Sequence, residues 1–515
     1  MHFKTEIGIV GTGFAGLGMA IRLKQAGIHD FIVLEKGDDV GGTWRENFYP
    51  GAACDVESHL YSFSFAPNPN WSRVWAPQEE ILQYLRDCAE KFGIMPHIKF
   101  NSAIVEGRWD EAAGLWRGKT EHGDSFESRI VVTGCGAFNK PVLPNIPGID
   151  GFQGELLHTA KWKRGVELEG KRIAVIGTGA SAIQVVPELA KIASKMTLFQ
   201  RTPAWIMPKP NHAYKPAQQA RFKNSALAMK LERAKLYAQH ELFAAGFITP
   251  ALMKQGEKFA NSYRNKKVKD PVLREKLTPS YTLGCKRVLM SSDYYPALCQ
   301  DNVEVVTEGI KEIRAHSVIT RDGREHEVDA LVCATGFQVS ENVAPFAIHG
   351  RDGVELNDAW TAGAEAFKGT TVKGYPNSFI LLGPNTGLGH SSVILMIEAQ
   401  IEYALQGIQL VLAEGLKALE VRAQVQDKYN VWVQKRLART VWQRGGCVSY
   451  YATASGKITT LWPGFTFEFM AQLRKFDRDD YVLTKHGGSS KRRGALQLVR
   501  SLGRRRSNVT SDAAE

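Results

Sequence analysis

Twice along this chain a short apolar, β-branched run breaks into a Gly-x-Gly turn and continues as a helix, and few folds accommodate that order. The first instance is residues 7–10, then Gly11-Thr12-Gly13-Phe14-Ala15-Gly16 and the helical pattern MAIRLKQAG, with a second apolar run, FIVLE, behind it. The second is Arg172–Ile176, then Gly177-Thr178-Gly179-Ala180-Ser181-Ala182, the helical run AIQVVPELAKIA and the strand-like MTLFQR. Each is a βαβ unit of about 30 residues. Two such units mean two bound dinucleotides or an internal duplication.

The residue types inside each turn explain why dinucleotides are the expected ligands. Gly11 permits the tight turn, Gly13 lets the backbone approach a pyrophosphate, and Gly16 lets helix and strand pack closely. The phosphates then meet the free amides of the helix N-terminus. Glu35 closes the second run, where an acid accepts hydrogen bonds from a ribose. The second unit carries Ala182 in place of a third glycine, which sets its helix slightly farther from its strand. It has no acid at the corresponding strand end; Phe199-Gln200-Arg201-Thr202 stands there instead. A guanidinium pairs with a ribose 2′-phosphate that a carboxylate would repel, so Arg201 selects NADPH over NADH. An exposed arginine at a strand end is the plain alternative.

The remaining strands are nested. Short strands and turns lead to RIVVTGCG and the Pro-rich link PVLPNIPG, residues 211–283 read as mostly helical and charged, and strands return at Val303–Val306 and residues 330–334. SFILLGPNTGLGH is a last strand and Gly-rich turn before the helix SVILMIEAQIEYALQGIQLVLAEG, so the first unit resumes near Phe379. This predicts an α/β fold of two Rossmann-like, three-layer dinucleotide-binding domains, the second inserted in the first. The expected parts are 1–140 with 345–486, 150–210 with 285–344, a helical insertion at 211–284 and a disordered basic tail at 487–515.

Composition bounds the function. A chain of 515 residues is too long for one core. The formal charge of +12 comes partly from two basic clusters in the tail, 491–493 and 504–506. No aromatic-interleaved basic patch accompanies them, so nucleic-acid binding is not expected. Weak contact of the tail with an anionic membrane surface is one reading and a solvated tail the plainer one. No apolar stretch approaches the roughly 18 uncharged residues of a membrane span. The start, MHFKTEIGIVGTG, lacks the features of a cleaved signal peptide. Seven cysteines without a CxxC pair fit reduced thiols in a cytoplasmic protein. No metal site is expected.

Residues 41–55 read GGTWRENFYPGAACD and residues 152–162 read FQGELLHTAKW. The first resembles the long fingerprint of Baeyer–Villiger monooxygenases, matched at Gly42, Trp44, Tyr49, Pro50, Gly51 and Asp55. The second resembles that family's other signature, matched at Phe152, Gly154, His158 and Trp162, with Lys163 where Pro or Asp usually follows. Related flavin-containing monooxygenases carry Tyr where Trp162 stands, which favours ketone oxidation here. The resemblance runs from residue 7 to about 465.

That resemblance implies FAD in the first unit, NADPH in the second, dioxygen and a ketone as substrates, and an ester or lactone as product. FAD would be held by the turn residues Gly11, Gly13, Phe14, Ala15 and Gly16, by Glu35 and Lys36, and by Gly42, Thr43, Trp44, Asp55, Tyr61 and Ile104. NADPH would be held by Gly177, Thr178, Gly179, Ala180, Ser181 and Gln184, by Arg201, Thr202 and Lys286, and by Tyr450. In the family, reduced flavin and dioxygen form a flavin peroxide that must be an anion to attack a carbonyl carbon, and a buried anion needs a fixed cation. GCKRVLMSSDYY supplies Lys286 and Arg287 in the family's context, so the resemblance assigns Arg287 that catalytic role and Asp55 the task of orienting it. His158 would couple domain movement to NADPH oxidation or serve as a structural histidine.

GCVSYYATASGKITTLWPG resembles a loop that closes over nicotinamide and substrate, with Tyr450 where the family often has Trp. Ala53 stands where some members have a basic residue. Three other readings remain open. An N- or S-oxygenating flavin-containing monooxygenase would use the neutral hydroperoxide and need no Arg287. A flavin disulfide reductase needs a redox cysteine pair, and Cys54 has no partner within a few residues. A nucleotide-sensing or membrane-tethered scaffold would leave Asp55 and the Lys286–Arg287 pair unexplained.

Overall fold

The computed structural model describes residues 1–340 and 344–486. Two sheets carry the two Gly-rich turns. In the first, the strand His2–Val10 lies between Phe31–Leu34 and Ser125–Thr133 and runs parallel to both. Ile7 and Ile9 enter one hydrophobic core while Val10 enters another. Both faces are therefore buried, which is why the run reads as continuously apolar rather than alternating. The strand begins earlier than the apolar run suggests, because the polar stretch from His2 pairs with residues 125–128.

Leu115–Thr120, Ile104–Asp110 and Ala347–His349 extend this sheet on one side, and Ile98–Lys99 on the other. Ser378–Ile380 adds parallel to the end of Ser125–Thr133. The second sheet is wholly parallel, in the order Val303–Val306, Lys195–Phe199, Arg172–Ile176, Ala330–Cys333, Glu155–His158. All its strands fall between two sets of first-sheet strands in sequence, so one Rossmann-like unit interrupts the other.

Helix Phe14–Gln25 follows the first turn and packs on the long helix Val393–Glu414. Gly18 sits at their crossing, where a side chain would run into Ile401 and Phe63. The segment between the second unit's halves is helical, with Pro216–Asn224, Ala226–Ile248, Met253–Lys267 and Pro271–Lys276. The longest of these buries only Ala228, Leu236, Ala244 and Phe247. Polar pins fix it instead. Arg233 donates to the carbonyls of His59 and Ser62, each at 2.9 Å, His240 meets Glu57 at 2.7 Å, and Glu241 accepts from the Thr466 amide at 3.0 Å.

Among the described residues no helix is long and apolar enough to cross a membrane, and no His/Cys/Asp/Glu group suits a metal ion. The basic tail lies outside the described residues. One expectation needs correction: the thiols are not all reduced. Cys285 and Cys447, 162 positions apart, form a disulfide, while Cys54, Cys88, Cys135, Cys299 and Cys333 are free. A pair created by tertiary folding leaves no spacing signal.

Candidate active site

The first turn is built for a backbone approach. A side chain at Gly16 would collide with the carbonyl oxygen of Gly11, so helix and strand close up as dinucleotide binding requires. A Cβ on Gly42 would stand 2.9 Å from the Cα of Gly13, so the loop that opens the short helix Thr43–Glu46 meets the turn backbone to backbone. Glu35 is buried at the end of Phe31–Leu34 and accepts from the Thr12 amide at 2.9 Å, the Thr12 hydroxyl at 2.6 Å, the Gly37 amide at 2.9 Å and Arg45 at 2.9 Å. Burial alone would raise its pKa, but Arg45 and these donors hold it below the usual carboxylate range. A ribose hydroxyl would share that carboxylate with Thr12. Lys36 is exposed, 3.7 Å from Glu46.

Aromatic residues wall this side. The Trp44 indole donates to the Tyr61 hydroxyl at 3.2 Å, and Phe14 meets the Tyr61 ring edge-on at 5.2 Å. Ala15 lies buried in the same core, and Ile104, the first residue of its strand, belongs to the cluster that also holds Val10 and Leu34 at the carboxyl ends of theirs. Open α/β sheets place ligands at those ends.

The second turn leaves more space. No atom comes within 4 Å of a Cβ placed on Gly179, which fits a pyrophosphate lying against the turn formed with Gly177 and Ala180. Thr178 donates to the Thr202 carbonyl at 2.8 Å and so ties the turn to the Arg201 segment. Ser181 opens the helix Ala182–Ile192. Arg201 is exposed; burial, together with the like charge of Arg201, pulls the Lys286 ammonium below its ordinary pKa. Two cations converging at a strand end suit a dianionic phosphate.

Residues 49–55 join the two units. Tyr49 and Ala52 belong to the core of the second sheet, although they follow the first turn in sequence. Tyr49 donates to the Gln184 side chain at 2.8 Å, and Gln184 donates to the Ala53 carbonyl at 2.9 Å. Gly51 has φ +80°, and a side chain there would stand 2.6 Å from the Gln184 carbonyl oxygen. The chain then presents Asp55 to Arg287, whose Nε and Nη2 donate to one carboxylate oxygen at 2.9 and 2.6 Å. Burial would raise Asp55, but Arg287 and Lys209 hold it below the usual range, and Asp55 in turn raises Arg287 well above its own. Two neighbouring side chains, Lys286 and Arg287, thus address opposite nucleotide units.

Comparison with known proteins decides the family. The chain matches the model of the flavin-binding monooxygenase-like family over residues 4–347. It is 48% identical to a Baeyer–Villiger monooxygenase of Pseudomonas aeruginosa over 481 residues, 93% of this chain and 91% of the other. The chain belongs to the Baeyer–Villiger monooxygenases. A Baeyer–Villiger monooxygenase of Streptomyces coelicolor is 45% identical over 487 residues, 94% of each chain. Among solved structures, the closed crystal structure of cyclohexanone monooxygenase aligns with a TM-score of 0.85 at 28% identity, covering 94% of this chain and all of the other. Oxidized steroid monooxygenase bound to NADP aligns at 0.83 with the same identity and coverage.

One feature of this Baeyer–Villiger monooxygenase had no sequence signal. Lys209 is a single lysine in a Pro-flanked loop, yet it donates to the Cys54 carbonyl at 2.7 Å and acts electrostatically on Asp55. Ala53, in place of a basic residue, contributes its backbone to Gln184. Lys163 pairs with Glu155 at 2.9 Å on the surface. His158 accepts from the Ala160 amide at 3.0 Å, and burial lowers its pKa. Tyr450 is exposed, with its ring 4.5 Å from that of buried Tyr451.

Proposed function

We propose that the chain inserts one oxygen atom of dioxygen beside the carbonyl of a ketone, giving an ester or lactone, and that Arg287 supplies the fixed positive charge this reaction requires. FAD, when bound, supplies the two-electron reduction of dioxygen at the expense of NADPH. A carbonyl carbon is electrophilic, so its attacker must be electron-rich and negatively charged. A site poor in water disfavours that charge unless a cation is fixed beside it.

The observation that carries this reading is the Arg287–Asp55 pair. Arg287 stays protonated at every relevant pH, and Asp55 fixes its fork from one side. Lys209 holds the backbone beside Asp55 and so limits where the carboxylate can go. Arg201 and Lys286 grip the 2′-phosphate, and Gln184 keeps the two nucleotide units in register. We read the setting as cytoplasmic because the reaction consumes NADPH; dioxygen and the ketone enter as free small molecules.

The test is NADPH consumption by the purified yellow protein in air across cyclic, linear and aromatic ketones, with mass analysis of products. Esters or lactones heavier than the ketone by one oxygen, formed in step with NADPH oxidation, are expected. NADPH oxidation that yields only hydrogen peroxide with every ketone, or oxygenation confined to sulfides and amines, would contradict the reading.

A further inference from the structure

The disulfide between Cys285 and Cys447 is not part of the chemistry above, yet it lies against it. Cys285 immediately precedes Lys286 and Arg287 and is fully buried in a cluster with Phe247, Met253, Trp442 and Tyr451. Cys447 is partly buried and stands three positions before Tyr450. The two Cα atoms are 6.1 Å apart.

The loop around Cys447 has few other ties. The Thr282 amide donates to the Gly445 carbonyl at 3.0 Å, and Gly445 packs so closely on Cys285 that an added Cβ would stand 2.5 Å from the Cys285 Cβ. At the far end, Tyr451 is buried and its carbonyl accepts from the Thr460 hydroxyl at 3.1 Å. Among the described residues, no hydrogen bond holds residues 446–448 between these points. Val448 is 93% exposed and Tyr450 45% exposed, so the middle of the loop is held at Cys447, by the sulfur bridge and by the packing of Cys447 against the buried cluster. Both Tyr450 and Tyr451 are within electrostatic reach of Arg287.

We propose that the Cys285–Cys447 disulfide is a thiol-sensitive latch that positions the Tyr450–Tyr451 segment beside Arg287, so that opening it uncouples NADPH oxidation from oxygen transfer without releasing the flavin. This rests on the role given above to Arg287. The partly exposed Cys447 sulfur is the one an external dithiol reaches. Its thiolate bonds to the Cys447 sulfur and expels the Cys285 thiolate, which takes up a proton. The second thiol of the reagent then closes its own disulfide and releases Cys447 as a thiol. One disulfide and one dithiol thus become two protein thiols and one oxidised reagent. The Thr282–Gly445 bond survives this exchange and keeps the two sulfurs close enough to re-form the bridge.

The experiment uses the FAD-loaded full chain. Peptide mass analysis under non-reducing conditions should find Cys285 joined to Cys447. Treatment with dithiothreitol, followed by its removal without air, should lower oxygenated product per NADPH several-fold and raise the KM for NADPH several-fold, with FAD content unchanged. Re-oxidation should restore both. Cys447→Ser should reproduce the reduced state and no longer respond to dithiothreitol, while Cys299→Ser, which changes an exposed free thiol, should respond as the parent does. Free thiols at both positions in the untreated protein would overturn the latch. So would unchanged coupling and KM in both the reduced protein and Cys447→Ser while Arg287→Ala abolishes ketone oxygenation. Full ketone oxygenation by Arg287→Ala would instead remove the reading on which the latch rests.

Discussion

Gln184, on the helix that opens the second nucleotide unit, holds a stretch of chain belonging to the first: its side-chain amide donates to the Ala53 carbonyl at 2.9 Å while its Oε1 accepts from Tyr49 at 2.8 Å. Asp55 is two residues farther on. The position of Asp55, the acid paired with Arg287, is thus set from the helix of the second Rossmann-like unit.

Gln184→Ala should therefore act on both cofactors' geometry. It leaves the Tyr49 hydroxyl and the Ala53 carbonyl without their partner, at a cost of about 1–3 kcal/mol in stability. Thermal unfolding of the FAD-loaded protein should show a lower Tm, and the KM for NADPH should rise. An unchanged Tm and KM would mean that the two units are held together elsewhere.

Arg201→Ala and Lys286→Ala should each weaken NADPH binding by about 10–100-fold, the worth of a charge-assisted hydrogen bond to phosphate, with little change in the KM for NADH. The preference for NADPH over NADH should fall by the same factor. Steady-state kinetics with both nucleotides checks this; parallel losses for the two would place the cations away from the 2′-phosphate.

Asp55→Asn removes the charge that holds Arg287 but keeps the side chain's shape. We expect kcat for ketone oxygenation to fall about 10–100-fold with normal FAD content. Lys209→Met should produce a smaller loss in the same direction, because Lys209 acts on Asp55 through the backbone of Cys54 and through charge. A larger effect at Lys209 than at Asp55 would reverse this order of dependence.

His240 links the helical insertion to Glu57, two residues beyond Asp55. Burial pushes its pKa down, but Glu57, the carbonyl of His390 and the charge of Asp55 together outweigh it, and the net shift is upward. A pKa raised on folding contributes stability that is complete below the ordinary imidazole value and lost as pH rises through the folded value. Amide hydrogen exchange in the helix Ala226–Ile248, corrected for intrinsic rates, should show protection falling as pH rises above the ordinary imidazole value of about 6.5. His240→Gln should remove that dependence. Protection that declines equally in the variant would assign it to other groups.

Much of this architecture was legible in the residues because its signals are local. A β-branched run, Gly-x-Gly and a helical pattern occupy consecutive positions, so both turns, Glu35 and Arg201 declare themselves without knowledge of the fold. Arg287 and Asp55 were found differently, by resemblance, since 232 positions separate them and nothing in their spacing predicts the contact. What escaped notice is long-range in the same sense but lacks a motif. Lys209 matters only because its loop passes behind Cys54. The Cys285–Cys447 bridge forms between segments that folding brings together, and seven cysteines without a spacing motif hid it. Gln184 was expected to hold NADPH, but nothing local announces its bonds to Tyr49 and Ala53.

Replacing Arg287 by Ala, in protein that still binds FAD and still oxidises NADPH in air, tests the proposed chemistry most directly. Ester or lactone formation should fall by about 10²–10³-fold, with the consumed dioxygen appearing as hydrogen peroxide, while sulfide oxygenation is partly retained. Ketone oxygenation at the parent rate, or an equal loss of ketone and sulfide oxygenation, would contradict the assignment of the fixed positive charge to Arg287.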